Sequence, residues 1–177
     1  TSCTHCVRGR YQDKEAYHIC HNCDVGKFQP DTQQGECIAC PAGKHQDQAE
    51  STACTDCGVG KFQDETGSSS LKCKACPPGK MQSAVDGTSC DACPVGQFQH
   101  LSAAAACNTC SKGRYESDGS AFCKDCPAGK FGASAGLETC AACPSGKWLQ
   151  APTATVTHVA CVVATTTSTN EGHTDTD

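Results

Sequence analysis

The sequence predicts an elongated array of small disulfide-clamped loops, with short β-hairpins and turns and almost no helix. Three observations lead to this fold class. Cysteine accounts for 19 of the 177 residues, a share typical of a disulfide scaffold rather than of a domain with a large apolar core. The cysteines recur at a period near 17 residues, which indicates a repeat protein. No segment carries the 3.6-residue apolar periodicity of an amphipathic helix.

The cysteines form nine Cys-x-x-Cys pairs followed by the single Cys161. Thirteen residues usually separate one pair from the next, and the exceptions are 15 after Cys57, 12 after Cys110 and 17 after Cys143. The repeats therefore occupy residues 1–161, and a Thr- and Ser-rich linker or tail follows at 162–177. Five hydroxyl-bearing residues of this tail are candidate O-glycosylation sites: Thr165, Thr166, Thr167, Ser168 and Thr169.

Three further columns emerge when the repeats are aligned on the second Cys of each pair. Three positions later comes Gly in every repeat, which predicts a turn with positive φ or a backbone contact too close for a Cβ. The next residue is Lys or Arg in eight of the nine repeats, with Gln97 as the exception, and a bulky residue follows it. Gln comes after the bulky residue in the first six repeats. We name these sets the glycine column (Gly9, Gly26, Gly43, Gly60, Gly79, Gly96, Gly113, Gly129, Gly146), the basic column (Arg10, Lys27, Lys44, Lys61, Lys80, Arg114, Lys130, Lys147) and the bulky column (Tyr11, Phe28, His45, Phe62, Met81, Phe98, Tyr115, Phe131, Trp148).

The bulky column holds seven of the nine aromatic side chains of the protein. Because neighbouring side chains on an extended segment face opposite sides, the basic side chain should point away from the bulky one. The bulky side chain is the only sizeable apolar group of its repeat, and we expect it to lie against the disulfide or against the next repeat.

Two pairings of the cysteines fit the spacing. A crossed scheme joins two neighbouring pairs and would impose a doubled period, of which the sequence gives no sign. A sequential scheme joins the second Cys of each pair to the first Cys of the next, closes every repeat as one loop and gives Cys161 a partner; we favour it. Cys3 is then left over, and its partner is expected outside this chain, in a longer array. The sequential bonds are Cys6–Cys20, Cys23–Cys37, Cys40–Cys54, Cys57–Cys73, Cys76–Cys90, Cys93–Cys107, Cys110–Cys123, Cys126–Cys140 and Cys143–Cys161.

Such a loop cannot be stabilised by burial alone, because each contributes about one large apolar side chain. Closing a loop of about 15 residues by a disulfide stabilises it by roughly 3 kcal/mol, mainly through the unfolded state. Each loop should then need only its immediate neighbours, so length can be added by repetition. Disulfides persist outside the cell, which predicts an extracellular or cell-surface location and a radius of gyration well above the ~16 Å of a compact chain of this length.

Two segments, "CPAGKFGASAGLETCAAC" and "CPPGKMQSAVDGTSCDAC", resemble the ephrin-receptor-like cysteine-rich repeats of large extracellular proteins. Their loop is also similar to the first module of tumour necrosis factor receptor repeats. The resemblance covers residues 1–161, and it implies an architecture rather than one function, because such repeats serve as spacers in many unrelated proteins. The second, four-cysteine module of a tumour necrosis factor receptor repeat is missing, which argues against cytokine binding.

The sequence pattern does not favour a metal, catalytic or nucleic-acid function. Paired Cys-x-x-Cys motifs also occur in four-thiolate zinc sites, but zinc would use the pairs two at a time, and nine pairs do not divide by two. His18 and His21 in "HICHNC" are alternative ligands for a transition ion, although exposed side chains explain them as well. No catalytic set or phosphate loop stands out, and the net charge of −5 does not suit a phosphate backbone. We therefore expect no enzyme activity, no cofactor, no resident metal, no nucleic acid and no membrane span in this segment.

The predicted function is a non-enzymatic extracellular rod that acts as a spacer or as a segment of a filament or surface appendage. Its expected partners are copies of itself, other matrix or surface proteins, and glycans. The alternative is the ligand-binding ectodomain of a receptor or adhesion protein, which should show as repeats that deviate at exposed positions. The basic column is suited to acidic polysaccharide or to acids of a neighbouring rod. We favour the simpler interpretation that each cation keeps its loop soluble or lies over the neighbouring ring.

Overall fold

The computed structural model describes residues 5–13, 19–68, 72–145, 147–148 and 161–163. Within these residues it forms eighteen two-residue strands and no helix. In chain order the strands are β1 (Arg10–Tyr11), β2 (His21–Asn22), β3 (Lys27–Phe28), β4 (Ile38–Ala39), β5 (Lys44–His45), β6 (Thr55–Asp56), β7 (Lys61–Phe62), β8 (Lys74–Ala75), β9 (Lys80–Met81), β10 (Asp91–Ala92), β11 (Gln97–Phe98), β12 (Asn108–Thr109), β13 (Arg114–Tyr115), β14 (Lys124–Asp125), β15 (Lys130–Phe131), β16 (Ala141–Ala142), β17 (Lys147–Trp148) and β18 (Val162–Val163).

Each repeat contains one antiparallel hairpin, formed by two strands that follow one another in sequence. The first strand holds the residues of the basic and bulky columns, and the second holds the two residues between the cysteines of the next pair. In β3 and β4, for example, Lys27 faces Ala39 and Phe28 faces Ile38. The Cys-x-x-Cys spacing is thus the length of a two-residue strand with a cysteine at either end. The predicted array of hairpin repeats is confirmed.

Nine disulfides close the repeats, and they have the sequential pairing. We number the repeats 1 to 9 by these bonds, from Cys6–Cys20 to Cys143–Cys161. The sequence separation is 14 in six of them, 16 in repeat 4, 13 in repeat 7 and 18 in repeat 9. All cysteines from Cys6 to Cys161 are therefore part of a disulfide in this structure.

The core consists of sulfur and side-chain amide groups. The opening cysteine of each of the first eight repeats is at most 5% exposed. The residue after the bulky column is buried as well: Gln29, Gln46, Gln63, Gln82, Gln99 and Glu116. In repeat 5 the Gln82 amide donates to Ser89 O at 2.7 Å and accepts from Ala84 N at 2.9 Å. The same two bonds recur at Gln29, Gln46 and Gln99. Since buried polar groups are usually hydrogen-bonded, these four glutamines fix the paths of their own loops.

Several members of the glycine column satisfy both conditions that the sequence predicted, a positive φ and a close backbone contact. Gly26 and Gly79 have φ of 79° and 81°, values that L-residues with a Cβ adopt at a cost. A Cβ on Gly26 would also lie 2.6 Å from the Ser68 carbonyl oxygen, and one on Gly79 would lie 2.8 Å from Gly119 O. Gly26 belongs to repeat 2 and Ser68 to repeat 4, so the glycine is the point of contact between repeats that are two apart.

Hydrogen bonds join each repeat to the next. Gly26 N donates to Gln46 O at 2.8 Å, Cys40 N donates to Gly26 O at 2.8 Å, and Glu50 N donates to Cys23 O at 2.8 Å. The same three bonds recur along much of the array. The expectation that a loop needs only its immediate neighbours was therefore wrong in one respect, because the glycine contacts extend to the next repeat but one.

Candidate interaction surface

The basic column lies on the outside of the array. In β3, β7, β9 and β15 the Lys is exposed and the following bulky residue is half-buried. This is the alternation expected of an extended segment. The surface that a partner would meet is therefore lined by the basic column and by the loop tips, while the cysteines and glutamines lie inside.

Three members of the basic column pair with acids of the same chain. Arg10 Nε lies 2.5 Å from Glu50 Oε1 and links repeat 1 to repeat 3. Lys44 contacts Asp56, which faces it across its hairpin. The hydrogen bond from Arg10 lowers the pKa of the Glu50 carboxyl, and the bond to Asp56 raises the pKa of Lys44. The third pair, in repeat 7, joins Arg114 Nε to an oxygen of its cross-strand partner at 2.7 Å.

Four other lysines of the column face alanine across their hairpins. They are Lys27, Lys61, Lys80 and Lys130. All four are exposed, and within the part of the chain that the structure describes they form no ion pair. Alanine offers no acid, so these cations remain directed to solvent. We name this set the free lysines.

The expected stacking of basic residues on rings takes a different form. Among the described residues, the cation that lies over a ring is Lys74, whose Nζ is 6.0 Å from the Phe62 centroid and 2.5 Å from Asp64 Oδ1. Lys74 faces Phe62 from the opposite strand of the hairpin. It belongs to the residues between the cysteines, which sequence reasoning had not considered for this role.

Repeats 6 and 7 carry an aromatic cluster that breaks the uniformity of the surface. The ring of His100 stacks at 6.0 Å on Phe98 and at 6.3 Å on Phe122. Phe122 is 67% exposed and Leu101, beside His100 in sequence, is 59% exposed. Repeats 6 and 7 therefore deviate from the others at exposed positions, and repeat 7 also deviates in loop length. One indication of this cluster was present in the sequence, since Phe122 and Tyr17 are the two aromatic residues outside the bulky column.

Glu116 takes the position that glutamine holds in the first six repeats, and it is fully buried. Burial raises the pKa of its carboxyl, but hydrogen bonds from Asp118 and Ser120 and the charge of Lys124 outweigh this effect. Together these groups lower the pKa to about 2. Ser120 Oγ donates to Glu116 Oε2 at 2.5 Å, and Lys124 Nζ lies 3.8 Å from Oε1. The carboxylate is therefore an ionised structural group.

Two histidines of the described residues differ in their surroundings. His21 is exposed, in agreement with the simpler interpretation of "HICHNC", and its ring lies 5.6 Å from that of Tyr11. His45, by contrast, contacts the disulfide of the following repeat, with Nδ1 at 3.3 Å from Cys73 Sγ. This contact agrees with the expectation that a bulky-column residue lies against a disulfide of its neighbour. His18, Cys3 and the candidate glycosylation sites 165–169 lie outside the described residues.

A chain of hairpins, each closed by its own disulfide around a core of cysteine and glutamine, defines a cysteine-rich repeat protein. The family model described as tyrosine-protein kinase ephrin type A/B receptor-like matches residues 14–57, 48–89 and 113–158. These matches span more than half of the chain, which belongs to this family of ephrin-receptor-like repeats. Such repeats are extracellular, non-catalytic modules. No curated protein matches the chain.

The similarity to tumour necrosis factor receptor modules stays a prediction. Within the described residues, no helix has the length and apolarity that crossing a membrane requires.

Proposed function

We propose that the chain is an extracellular structural rod, which acts as a spacer or as a segment of a filament or surface appendage. The observation that supports this most is the range of its contacts. Among the described residues, hydrogen bonds and close glycine contacts link a repeat to the next one and to the next but one. Such an array gains length with every repeat and needs no common core.

The partners in this proposal are copies of the chain, other matrix or surface proteins, and glycans on the Thr-rich tail. The free lysines support lateral contact, because each faces solvent and none is neutralised within its hairpin. Acidic side chains of a second rod are suitable partners, since the chain carries 19 Asp and Glu against 14 Lys and Arg. Contacts that are weak per repeat add along two aligned rods.

Sedimentation of the disulfide-intact chain tests the proposal. We expect concentration-dependent association at low salt that weakens at high salt, because exposed charges are screened within about 10 Å at 0.1 M ionic strength. Replacing the four free lysines by Glu should abolish association. The matched control replaces Arg10, Lys44, Arg114 and Lys74 by Gln, since these cations already pair within the chain. Material from the native source that sediments as a monomer with a tightly bound soluble protein would contradict the proposal.

A second candidate function is a ligand-binding ectodomain. The cluster of Phe98, His100 and Phe122 supports it, because exposed apolar side chains that depart from the repeat pattern mark interaction sites more often than isolated ones do. Under this alternative, Phe122→Ser releases a soluble ligand and leaves self-association unchanged. Under the structural proposal, the same substitution does not change the amount of any soluble ligand that stays bound to the chain.

A further inference from the structure

The disulfide of repeat 4 lies in a setting unlike that of its neighbours. It closes a sequence separation of 16, compared with 14 in repeats 3 and 5. The bulky-column residue in contact with it is His45, whereas the other repeats carry Phe, Tyr, Met or Trp in that column. An imidazole nitrogen, which is able to bind a metal ion, therefore lies beside this disulfide.

The core of repeat 4 also holds its closing cysteine less firmly. In repeat 5 the Gln82 amide donates to Ser89 O, which directly precedes Cys90. Gln63 occupies the same place in repeat 4 and is fully buried, but its Nε2 has no hydrogen-bond partner among the described residues. Lys72, which directly precedes Cys73, therefore lacks the hydrogen bond from a glutamine amide that Ser89 has in repeat 5.

The three side chains already form a compact set of donors. His45 Nδ1 lies 3.3 Å from Cys73 Sγ. The donor atoms of His45, Cys57 and Cys73 all lie within 4.8 Å of one another. One imidazole and two thiolates are a ligand set that zinc prefers, with a fourth position left for water. A disulfide sulfur is no such ligand, so the set becomes complete only when the bond between Cys57 and Cys73 is reduced.

We propose that Cys57–Cys73 is the reducible disulfide of the array, and that its reduced form binds one zinc-type ion together with His45. A dithiol supplies the two electrons. Its thiolate attacks Sγ of Cys73, which is the more exposed residue of the two, and Cys57 leaves as a thiolate. The second thiol of the reductant then displaces Cys73, and the reductant departs as a cyclic disulfide. The ion takes both sulfurs as thiolates, and two protons are released.

The geometry needs little change for this binding. Tetrahedral zinc with Zn–S bonds of about 2.3 Å holds two sulfurs roughly 3.8 Å apart. The Cα atoms of Cys57 and Cys73 are 5.7 Å apart, so rotation of the side chains separates the sulfurs sufficiently. Cys57 N stays bonded to Gly43 O at 2.9 Å, and Asp86 N to Cys57 O at 2.8 Å. The neighbouring disulfides and these bonds keep the ligands in place.

Limited reduction tests the first half of the proposal. The native chain is treated with one equivalent of a dithiol, alkylated and mapped by peptide mass spectrometry. We expect Cys57 and Cys73 to be labelled before any other pair, because His45 Nδ1 lies beside Cys73 Sγ and a hydrogen bond from it stabilises Cys73 as the thiolate that departs in the second step. In His45→Phe this preference should be lost. Phe is the residue of the same column in repeats 2, 4, 6 and 8, so the variant should fold, and His45→Tyr provides a second version.

Cobalt binding to the singly reduced chain tests the second half. We expect one equivalent of Co²⁺, with a thiolate-to-metal charge-transfer band, and displacement of the Co²⁺ by Zn²⁺. Even outer-shell changes cost about 10–100-fold in metal affinity, so the loss of the ligand in His45→Phe should weaken binding by at least about tenfold. His100→Phe, which removes a histidine away from the disulfides, should change neither result. Preferential labelling of another pair, or equal affinity in His45→Phe, would overturn the proposal.

Discussion

Replacing Gly60 by Ala should show how much the contact between repeats two apart contributes to stability. Gly60, in repeat 4, has φ of 75°, and a Cβ there would come closer to the carbonyl oxygen of Ala103 in repeat 6 than a real Cβ contact allows. Gly129 has φ of 78°, and no atom of the described residues lies within 4 Å of the same position. The two sites share one backbone conformation and differ in the steric contact.

The magnitude follows from two separate costs. An L-residue with a Cβ in the left-handed region costs roughly 1–2 kcal/mol, and both variants bear this cost. In Gly60→Ala the turn of repeat 6 must also move away, which breaks one or two hydrogen bonds between repeats at about 1 kcal/mol each. One of these is Ala103 N to Cys76 O at 2.8 Å. We therefore expect about 3 kcal/mol for Gly60→Ala and about 1–2 kcal/mol for Gly129→Ala.

Amide hydrogen exchange with the disulfides intact measures both costs locally. The reporters are the Cys76 amide, which donates to Gly60 O, and the Cys143 amide, which donates to Gly129 O, both at 2.9 Å. A difference of about 1–2 kcal/mol between the variants corresponds to about a 5- to 30-fold difference in exchange rate. Equal loss of protection at the two reporters would refute the steric reasoning, because the backbone conformation alone would then explain the glycine.

Three further predictions use the same array. The lowered pKa of Glu116 means that its contribution to stability is full above the unfolded pKa near 4.5 and is lost as pH falls towards about 2; the thermal midpoint should decrease over this window, and less so in Glu116→Gln. Gln82→Leu should destabilise its loop by about 1–3 kcal/mol, because the Ser89 carbonyl and the Ala84 amide lose their partner. Gln63→Leu should destabilise its loop less, because Nε2 of Gln63 has no hydrogen-bond partner among the described residues. Amide hydrogen exchange in each loop would measure both effects. Ala103→Gly should stabilise repeat 6 by up to about 1 kcal/mol, measured by denaturant unfolding, because φ of 58° at Ala103 suits glycine better.

The sequence predicted the parts of the fold that a single repeat determines. Cysteine spacing indicated the repeat length and the pairing, because only sequential bonds give every loop one clamp and Cys161 a partner. The alternation of Lys27 and Phe28 gave the exposed and half-buried sides of the strand correctly, because side-chain direction in an extended segment is local. The interpretation of the glycine column was also correct, because a positive φ and a close backbone contact both exclude a Cβ.

Features that depend on contacts between different repeats could not be predicted from the sequence of a single repeat. The Gln column was visible in the alignment, but glutamine is usually exposed, and nothing local shows that Gln82 lies at the centre of its loop. The pair of Arg10 and Glu50 joins residues 40 apart, and its existence depends on how one repeat lies over the next but one. The contact between His45 and Cys73 crosses between repeats as well, so no pattern within one repeat indicated that His45 lies beside a disulfide.

The contact between repeats two apart bears directly on the proposed function. Repeats linked only to their immediate neighbours can bend at every junction, and a long array of them would behave as a flexible chain. A contact from Gly26 to the turn at Ser68 spans the whole of repeat 3, so bending at either of its junctions must open that contact. The disulfides stabilise each loop against unfolding, whereas the glycine contacts resist bending between loops. A spacer needs both properties, and we infer that the absence of a side chain at the glycine column is what makes the rod stiff.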